Sequence, residues 1–172
     1  MKSIISRKKL RKKGSITDIS FILIGIFSVA LVALLVTYVV NSLNDEVQVN
    51  DIFPDNAKDA STKMNDDFPN VMDSGIIFIF FGMCIISLIL ASLVPIHPMF
   101  LAFYFIEYLL LIYVSGTIAN AYKKVIEVGI LSDAVSKYEL TIFMFQYMPF
   151  IIGIFGIVLA IVMYKIKQGI TQ

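Results

Sequence analysis

Residues 99–120 read MFLAFYFIEYLLLIYVSGTIAN, and at about 1.5 Å per residue one helix of this length crosses about 30 Å of hydrocarbon. The stretch carries one acid, Glu107, near its middle. Three further apolar stretches of similar length, residues 19–40, 75–94 and 140–164, contain no charged side chain. The sequence therefore predicts an all-α integral membrane protein with four transmembrane helices.

The composition agrees with this class and argues against enzymatic chemistry. The chain has 172 residues, of which 58% are hydrophobic, and its mean hydropathy is +0.84. A soluble domain is about 45–50% apolar. The single cysteine, Cys84, and the single histidine, His97, cannot form a classical zinc or haem site, so no metal and no cofactor is predicted. No nucleotide loop, nucleophile motif or catalytic acid pair is present, and the polar segments are short for an active site, so we expect a protein that is not an enzyme.

Prolines and composition shifts divide the chain into segments. Pro95 and Pro98 would end one helix and start the next, which predicts that helices 2 and 3 form a tight antiparallel hairpin. The polar connection before helix 2 contains a possible short helix at residues 56–64. In chain order, the predicted segments are a basic tail (1–16), helix 1 (17–42), an acidic loop (43–74), helix 2 (75–94), helix 3 with an interfacial extension (98–128), helix 4 (132–164) and a second tail (165–172).

The charges are separated along the chain. Half of the 14 basic residues lie in the first 13 positions, and they are Lys2, Arg7, Lys8, Lys9, Arg11, Lys12 and Lys13. Basic flanks stay in the cytoplasm, and four crossings return the C-terminus to the same side. Both termini are therefore predicted to be cytoplasmic, with Lys165 and Lys167 beside the last helix and the acidic loop on the outer side.

Both polar segments have a simple interpretation and a functional one. The basic tail can act only as a topology signal, or it can also contact anionic lipid or nucleic acid through Arg7, Lys8, Lys9, Arg11, Lys12 and Lys13. The acidic loop can be solvated, or it can dock a partner, because long connections are often functional. Residues 41–74 carry eight acids and two lysines, a net charge of 2 − 8 = −6.

Glu107 is the only charged residue at depth in a predicted span. Counting the helical rise from each cytoplasmic end places Ser28, Ser87 and Gly156 at its level. These four residues form the predicted intramembrane polar layer. It can be a proton or ion site, or a structural hydrogen bond between helices worth about 0.6 kcal/mol and up to 1–2 kcal/mol. We favour the structural hydrogen bond, because one acid without a second carboxylate or a basic partner makes a poor pathway.

The small size, four spans, basic tail and acidic outer segment resemble small polytopic membrane proteins of membrane-containing viruses of bacteria or archaea. The resemblance implies a structural or assembly protein of a virion internal membrane or envelope complex. Its partners would be the lipid bilayer, other membrane or shell proteins, and anionic lipid or nucleic acid at the tail, with an oligomer left open. The alternatives are a small channel or proton-coupled membrane subunit that uses Glu107, and a holin-like lysis protein.

Overall fold

The computed structural model describes residues 16–93 and 98–170, and within these ranges the chain is helical and contains no strand. Apolar segments in lipid become helical because every backbone N–H and C=O must be satisfied within the segment. In chain order, the elements are α1 (Ile16–Val49), α2 (Asp55–Leu93), α3 (Pro98–Ile126), a 3₁₀ turn (Gly129–Leu131), α4 (Ser132–Val135) and α5 (Glu139–Ile170).

Four of these helices contain stretches that are long and apolar enough to cross a membrane. The stretches are Ser20–Val49, Asp55–Ile89, Phe103–Ile126 and Glu139–Tyr164. This confirms the prediction of an all-helical chain with four candidate spans, and it indicates a multi-pass membrane protein.

The prediction of an acidic loop at residues 43–74 is wrong in its local structure. Helix α1 continues to Val49 and α2 already begins at Asp55, so that only residues 50–54 connect them. Pro69 lies inside α2 and does not end the helix. Residues 41–73 therefore form two helices that continue from the spans, and we call this segment the helical hairpin. The possible short helix at residues 56–64 is part of α2.

The four long helices form a bundle in which α1 packs against α2, α2 against α5, α5 against α3, and α3 against α1. Its interior contains fully buried residues from α1 and α5, among them Leu34, Phe145 and Met148. The predicted turn between helices 2 and 3 falls largely on residues 94–97, which lie outside the described residues. Among the described residues, α2 and α3 pack chiefly against α1 and α5.

The last predicted helix is interrupted near its start. Residues 132–164 were expected to be continuous, but α4 is a single turn, Ser132–Val135, and α5 begins at Glu139. The break matters because it brings Lys137 and Tyr138 against the bundle, where both side chains make long-range hydrogen bonds.

Candidate functional site

The predicted intramembrane polar layer does not assemble inside the bundle. Glu107 is exposed on α3, and its carboxyl has no hydrogen-bond partner among the described residues. Ser28 is exposed on α1, and its hydroxyl donates to the carbonyl of Ile24 at 2.8 Å. The rotation of these residues about the helix axes could not be predicted from the sequence, because it depends on packing against neighbouring helices.

Gly156 is buried, and it lies at the contact between α3 and α5. The Tyr108 ring occupies the space where a Cβ at position 156 would stand. The Tyr104 hydroxyl donates to the Gly156 carbonyl at 3.1 Å, and the rings of Tyr104 and Tyr108 stack with centroids 5.5 Å apart. We call this contact the Gly156 seam. Gly156 is thus a packing position, because only a residue without a side chain admits the tyrosine ring.

Ser87 is half-buried, and it lines a cavity of about 40 Å³ beside the Gly156 seam. Tyr104 and Tyr108 also line this cavity, whose walls are otherwise apolar apart from the Cys84 thiol. Because Glu107 is exposed on the outside of the bundle, the structure does not pair its carboxyl with Ser87.

The polar groups inside the bundle gather instead at the end from which the helical hairpin projects, which we call the hairpin end. The hydroxyls of Thr37 and Tyr138 lie 2.9 Å apart, and the Tyr138 hydroxyl donates to the Ala33 carbonyl at 3.2 Å. Burial raises the pKa of the Tyr138 phenol, the hydrogen bond with Thr37 lowers it, and the charge of Asp73 raises it. Tyr138 therefore stays protonated and can donate.

Asp73 caps a helix to which it does not belong. It is only 7% exposed, and its two carboxylate oxygens accept hydrogen bonds from the backbone N–H groups of Leu140 and Thr141, at 3.1 and 2.7 Å. These groups lie in the first turn of α5, where helical N–H groups have no partner within the helix and a negative charge is favoured. Asp73 thereby fixes the start of α5 to α2.

Sequence reasoning missed this cap, because Asp73 was counted among the acids of a solvated loop. The sequence held no signal for this cap, because the start of α5 after Tyr138 is known only from the structure and residues 132–164 read as one continuous helix.

Lys137 ties the helical hairpin to the rest of the bundle. Its ammonium group donates to the side-chain oxygen of Asn41 on α1 at 3.0 Å, and to both the carbonyl and the side-chain oxygen of Asn65 on α2 at 3.0 and 3.1 Å. The Asn65 carbonyl is available because Pro69, four residues later, has no N–H to donate to it. The proline thus creates the acceptor that the lysine uses.

Further contacts join the two helices of the hairpin near its tip. The Gln48 amide donates to the Lys58 carbonyl and to the Thr62 hydroxyl, both at 3.0 Å, and the Lys58 ammonium donates to the Gln48 carbonyl at 3.2 Å. The hairpin is therefore held at its base by Lys137 and near its tip by Gln48 and Lys58.

The surface of the hairpin is acidic, with an apolar tip. All its acids except Asp73 are exposed, and they are Asp45, Glu46, Asp51, Asp55, Asp59, Asp66 and Asp67. Val49 and Ile52 at the tip are 84% and 86% exposed. Among the residues that the structure describes, no three His, Cys, Asp or Glu side chains group together as metal ligands would.

The basic residues predicted to contact anionic lipid or nucleic acid, Arg7, Lys8, Lys9, Arg11, Lys12 and Lys13, lie outside the described residues. Comparison with protein-family models, curated proteins and solved structures finds no match to this chain. Its function is therefore inferred from the geometry of the hairpin and of the bundle.

Proposed function

We propose that this protein is a non-enzymatic structural or assembly protein of a membrane, in a virion internal membrane or an envelope complex. The helical hairpin docks a basic protein partner on one side of the membrane. The basic N-terminal tail contacts anionic lipid or nucleic acid on the other side.

The observation that carries the proposal is the attachment of the hairpin to the bundle. Lys137 holds its base through three oxygen atoms, and Asp73 fixes α2 to α5 immediately below. A docking segment that is already ordered loses less conformational entropy on binding than a flexible loop does. This supports a role in assembly over a role as a solvated linker.

The tip determines the chemistry of the partner. Asp51 and Asp55 are exposed, and in the sequence each lies within three residues of Ile52, which is exposed like Val49. A surface that combines small apolar side chains with carboxylates is complementary to a basic protein surface with an apolar pocket.

The proposed topology follows from charge. The seven basic residues before α1 keep the N-terminus in the cytoplasm or its equivalent. Four crossings return the C-terminus to that side. In this topology α2 and α3 are the antiparallel pair that Pro95 and Pro98 predict. The acidic helical hairpin then faces outwards, and the tail faces the side where a genome or anionic headgroups lie.

Site-specific photo-crosslinking in native membranes tests the docking role. A photo-reactive residue at Ile52, at the hairpin tip, should capture a basic partner protein. Ile130 is the matched control, because it is also an isoleucine, is 71% exposed and lies in the short connection after α3. Ile130 should give no such adduct.

Charge reversal completes this experiment. Replacing Asp51 and Asp55 by lysine should remove the Ile52 adduct, because the basic partner would then meet like charge. An adduct of equal yield from Ile130, or an Ile52 adduct that is unchanged by the reversal, would contradict the docking role.

A further inference from the structure

One face of α1 stays apolar up to the base of the helical hairpin. Its exposed side chains recur at spacings of four, three and four residues, so they lie on one side of the helix. They are Val32, Val36, Val39 and Leu43, and we call them the α1 outer face. At about 1.5 Å per residue, Leu43 lies about 16 Å beyond Val32, so the face extends over about three helical turns.

The contacts of Lys137 show what lies beside this face on α2. The Lys137 ammonium donates to the side-chain oxygens of Asn41 on α1 and Asn65 on α2, so these two residues lie at the same level. Because α1 and α2 run in opposite directions, the residues that follow Asn65 are level with the residues that precede Asn41. Asp66 and Asn70, the first and the fifth residue after Asn65, are both exposed. The middle of the α1 outer face is therefore level with a polar surface of α2.

The helices α3 and α5 also carry charged residues near the beginning of this face. The rings of Phe27 and Tyr122 contact each other with centroids 6.4 Å apart, and the two residues after Tyr122 are exposed lysines. The Tyr138 hydroxyl donates to the Ala33 carbonyl, and the next residue, Glu139, is exposed at the start of α5. Because charged side chains are costly in hydrocarbon, the three neighbouring helices place the water boundary close to Ala33.

Most of the α1 outer face therefore lies on the water side of the boundary that its neighbours define. Hydrocarbon that covered Val39 would also reach the level of Asn70 and Asp66 on α2. A contiguous apolar surface in contact with water and bordered by polar residues is typical of a protein interaction site.

The exposed acids near this face indicate the charge of the partner. Glu46 lies three residues after Leu43, on the same side of α1, and both Glu46 and Asp45 are exposed. Asp66 adds a further exposed carboxylate on α2, which packs against α1. A second copy of this chain would bring the same acids to the same surface, where like charges repel, whereas basic side chains would complement them.

We propose that the α1 outer face lies outside the hydrocarbon and docks the basic partner protein. The partner contributes a segment with apolar side chains, which cover Val36 and Val39, and with basic side chains, which meet Glu46. This inference rests on the docking role proposed above, and it adds a contact at the base of the helical hairpin to the contact at the tip.

Cysteine labelling of the purified chain in phosphatidylcholine nanodiscs tests the position of the face. In a Cys84→Ser background, Val39→Cys should react with a water-soluble maleimide, because the reactive thiolate forms in water. Ile24→Cys is the matched control, because Ile24 is 46% exposed against 51% for Val39 but lies about 22 Å further into the membrane. Val39→Cys should react at least about tenfold faster than Ile24→Cys, since a thiolate is strongly disfavoured in hydrocarbon.

The same labelling in native membranes tests the occupant. The partner should cover Val39→Cys and slow its labelling to the rate of Ile24→Cys. Ile130→Cys controls for access of the maleimide, because Ile130 is 71% exposed and lies away from the α1 outer face, in the connection after α3. Replacing Asp45 and Glu46 by lysine should restore fast labelling of Val39→Cys, because a basic partner would then meet like charge.

Three results would overturn the proposal. Slow labelling of Val39→Cys in nanodiscs would mean that lipid covers the face. Equally fast labelling in nanodiscs and in native membranes would mean that no partner covers it, and an Ile52 adduct would then confine docking to the tip. Protection that survives the replacement of Asp45 and Glu46 would mean that the partner is not basic at this contact. Protection of Val39→Cys that the replacement removes, without an Ile52 adduct, would support this surface and contradict docking at the tip.

Discussion

The hairpin end and the Gly156 seam hold the same helix, α5, by different means. At the hairpin end, Asp73 accepts two backbone hydrogen bonds from α5, and Tyr138 bonds to Thr37 across the bundle. At the Gly156 seam, the principal contact is van der Waals packing, because the Tyr108 ring fills the space that a side chain at position 156 would occupy.

The difference reflects the solvent around each region. Within hydrocarbon, apolar side chains gain little by leaving lipid, so helices associate through close van der Waals contact, for which glycine is well suited. Near the water boundary the bundle also has unpaired helix ends and interrupted hydrogen bonds, and buried polar side chains can satisfy them. The two regions should therefore respond differently to substitution.

The largest effect is expected at the Gly156 seam. Gly156→Ala would place a methyl group within the Tyr108 ring, which must move and separate α3 from α5. We expect a loss of about 2–3 kcal/mol in the free energy of unfolding, the scale of an overpacked core. Gly153→Ala is the control, because a Cβ there meets no atom within 4 Å. Unfolding in mixed micelles measures both, and equal stability of the two variants would show that the seam is not tightly packed.

A smaller effect is expected at the cap of α5. Asp73→Ala leaves the N–H groups of Leu140 and Thr141 without their acceptor and should cost about 1.5–2 kcal/mol. Asp73→Asn keeps one of the two capping oxygens and should retain about half of this stability, because its NH2 group cannot accept the second N–H. The same unfolding measurement compares the two variants. If Asp73→Asn lost as much free energy of unfolding as Asp73→Ala, the negative charge of Asp73, and not its hydrogen bonds to α5, would account for the stabilisation.

The smallest effect is expected at Lys137. Lys137→Met leaves the Asn65 carbonyl without its donor and should cost about 1 kcal/mol. The spin-label distance between Asp59→Cys on the hairpin and Ile130→Cys, in a Cys84→Ser background, should become broader. Pro69→Ala restores an N–H for the Asn65 carbonyl, so adding it should recover part of the lost stability. No recovery would mean that the lysine acts mainly through Asn41.

The sequence was sufficient for some of these features and not for others. The four candidate spans follow from apolar stretches of about 20 residues, and the helical rise placed Gly156 level with Glu107, whose neighbour Tyr108 contacts it. The helical hairpin could not be recognised, because Pro54, Pro69 and the many acids are typical of a loop. Its helices are stabilised by contacts with residues distant in the sequence, chiefly those of Asn41 and Asn65 with Lys137 and that of Asp73 with the start of α5.

The outward position of Glu107 could not be predicted for a related reason. The sequence fixes its distance along α3, but the side of the helix that faces the bundle depends on where the Tyr104 and Tyr108 rings pack against α5. The glycine that admits Tyr108 lies 48 residues away in the chain. No local pattern around Glu107 contains that information.

The central claim is that the acidic segment consists of two helices fixed to the membrane bundle. Amide hydrogen exchange of the reconstituted protein tests it most directly. Residues 43–49 and 57–72 should exchange slowly, because their N–H groups are hydrogen-bonded, and fast exchange should be confined to residues 50–56. Fast exchange throughout residues 43–74 would contradict the claim and would favour the solvated loop that the sequence predicted.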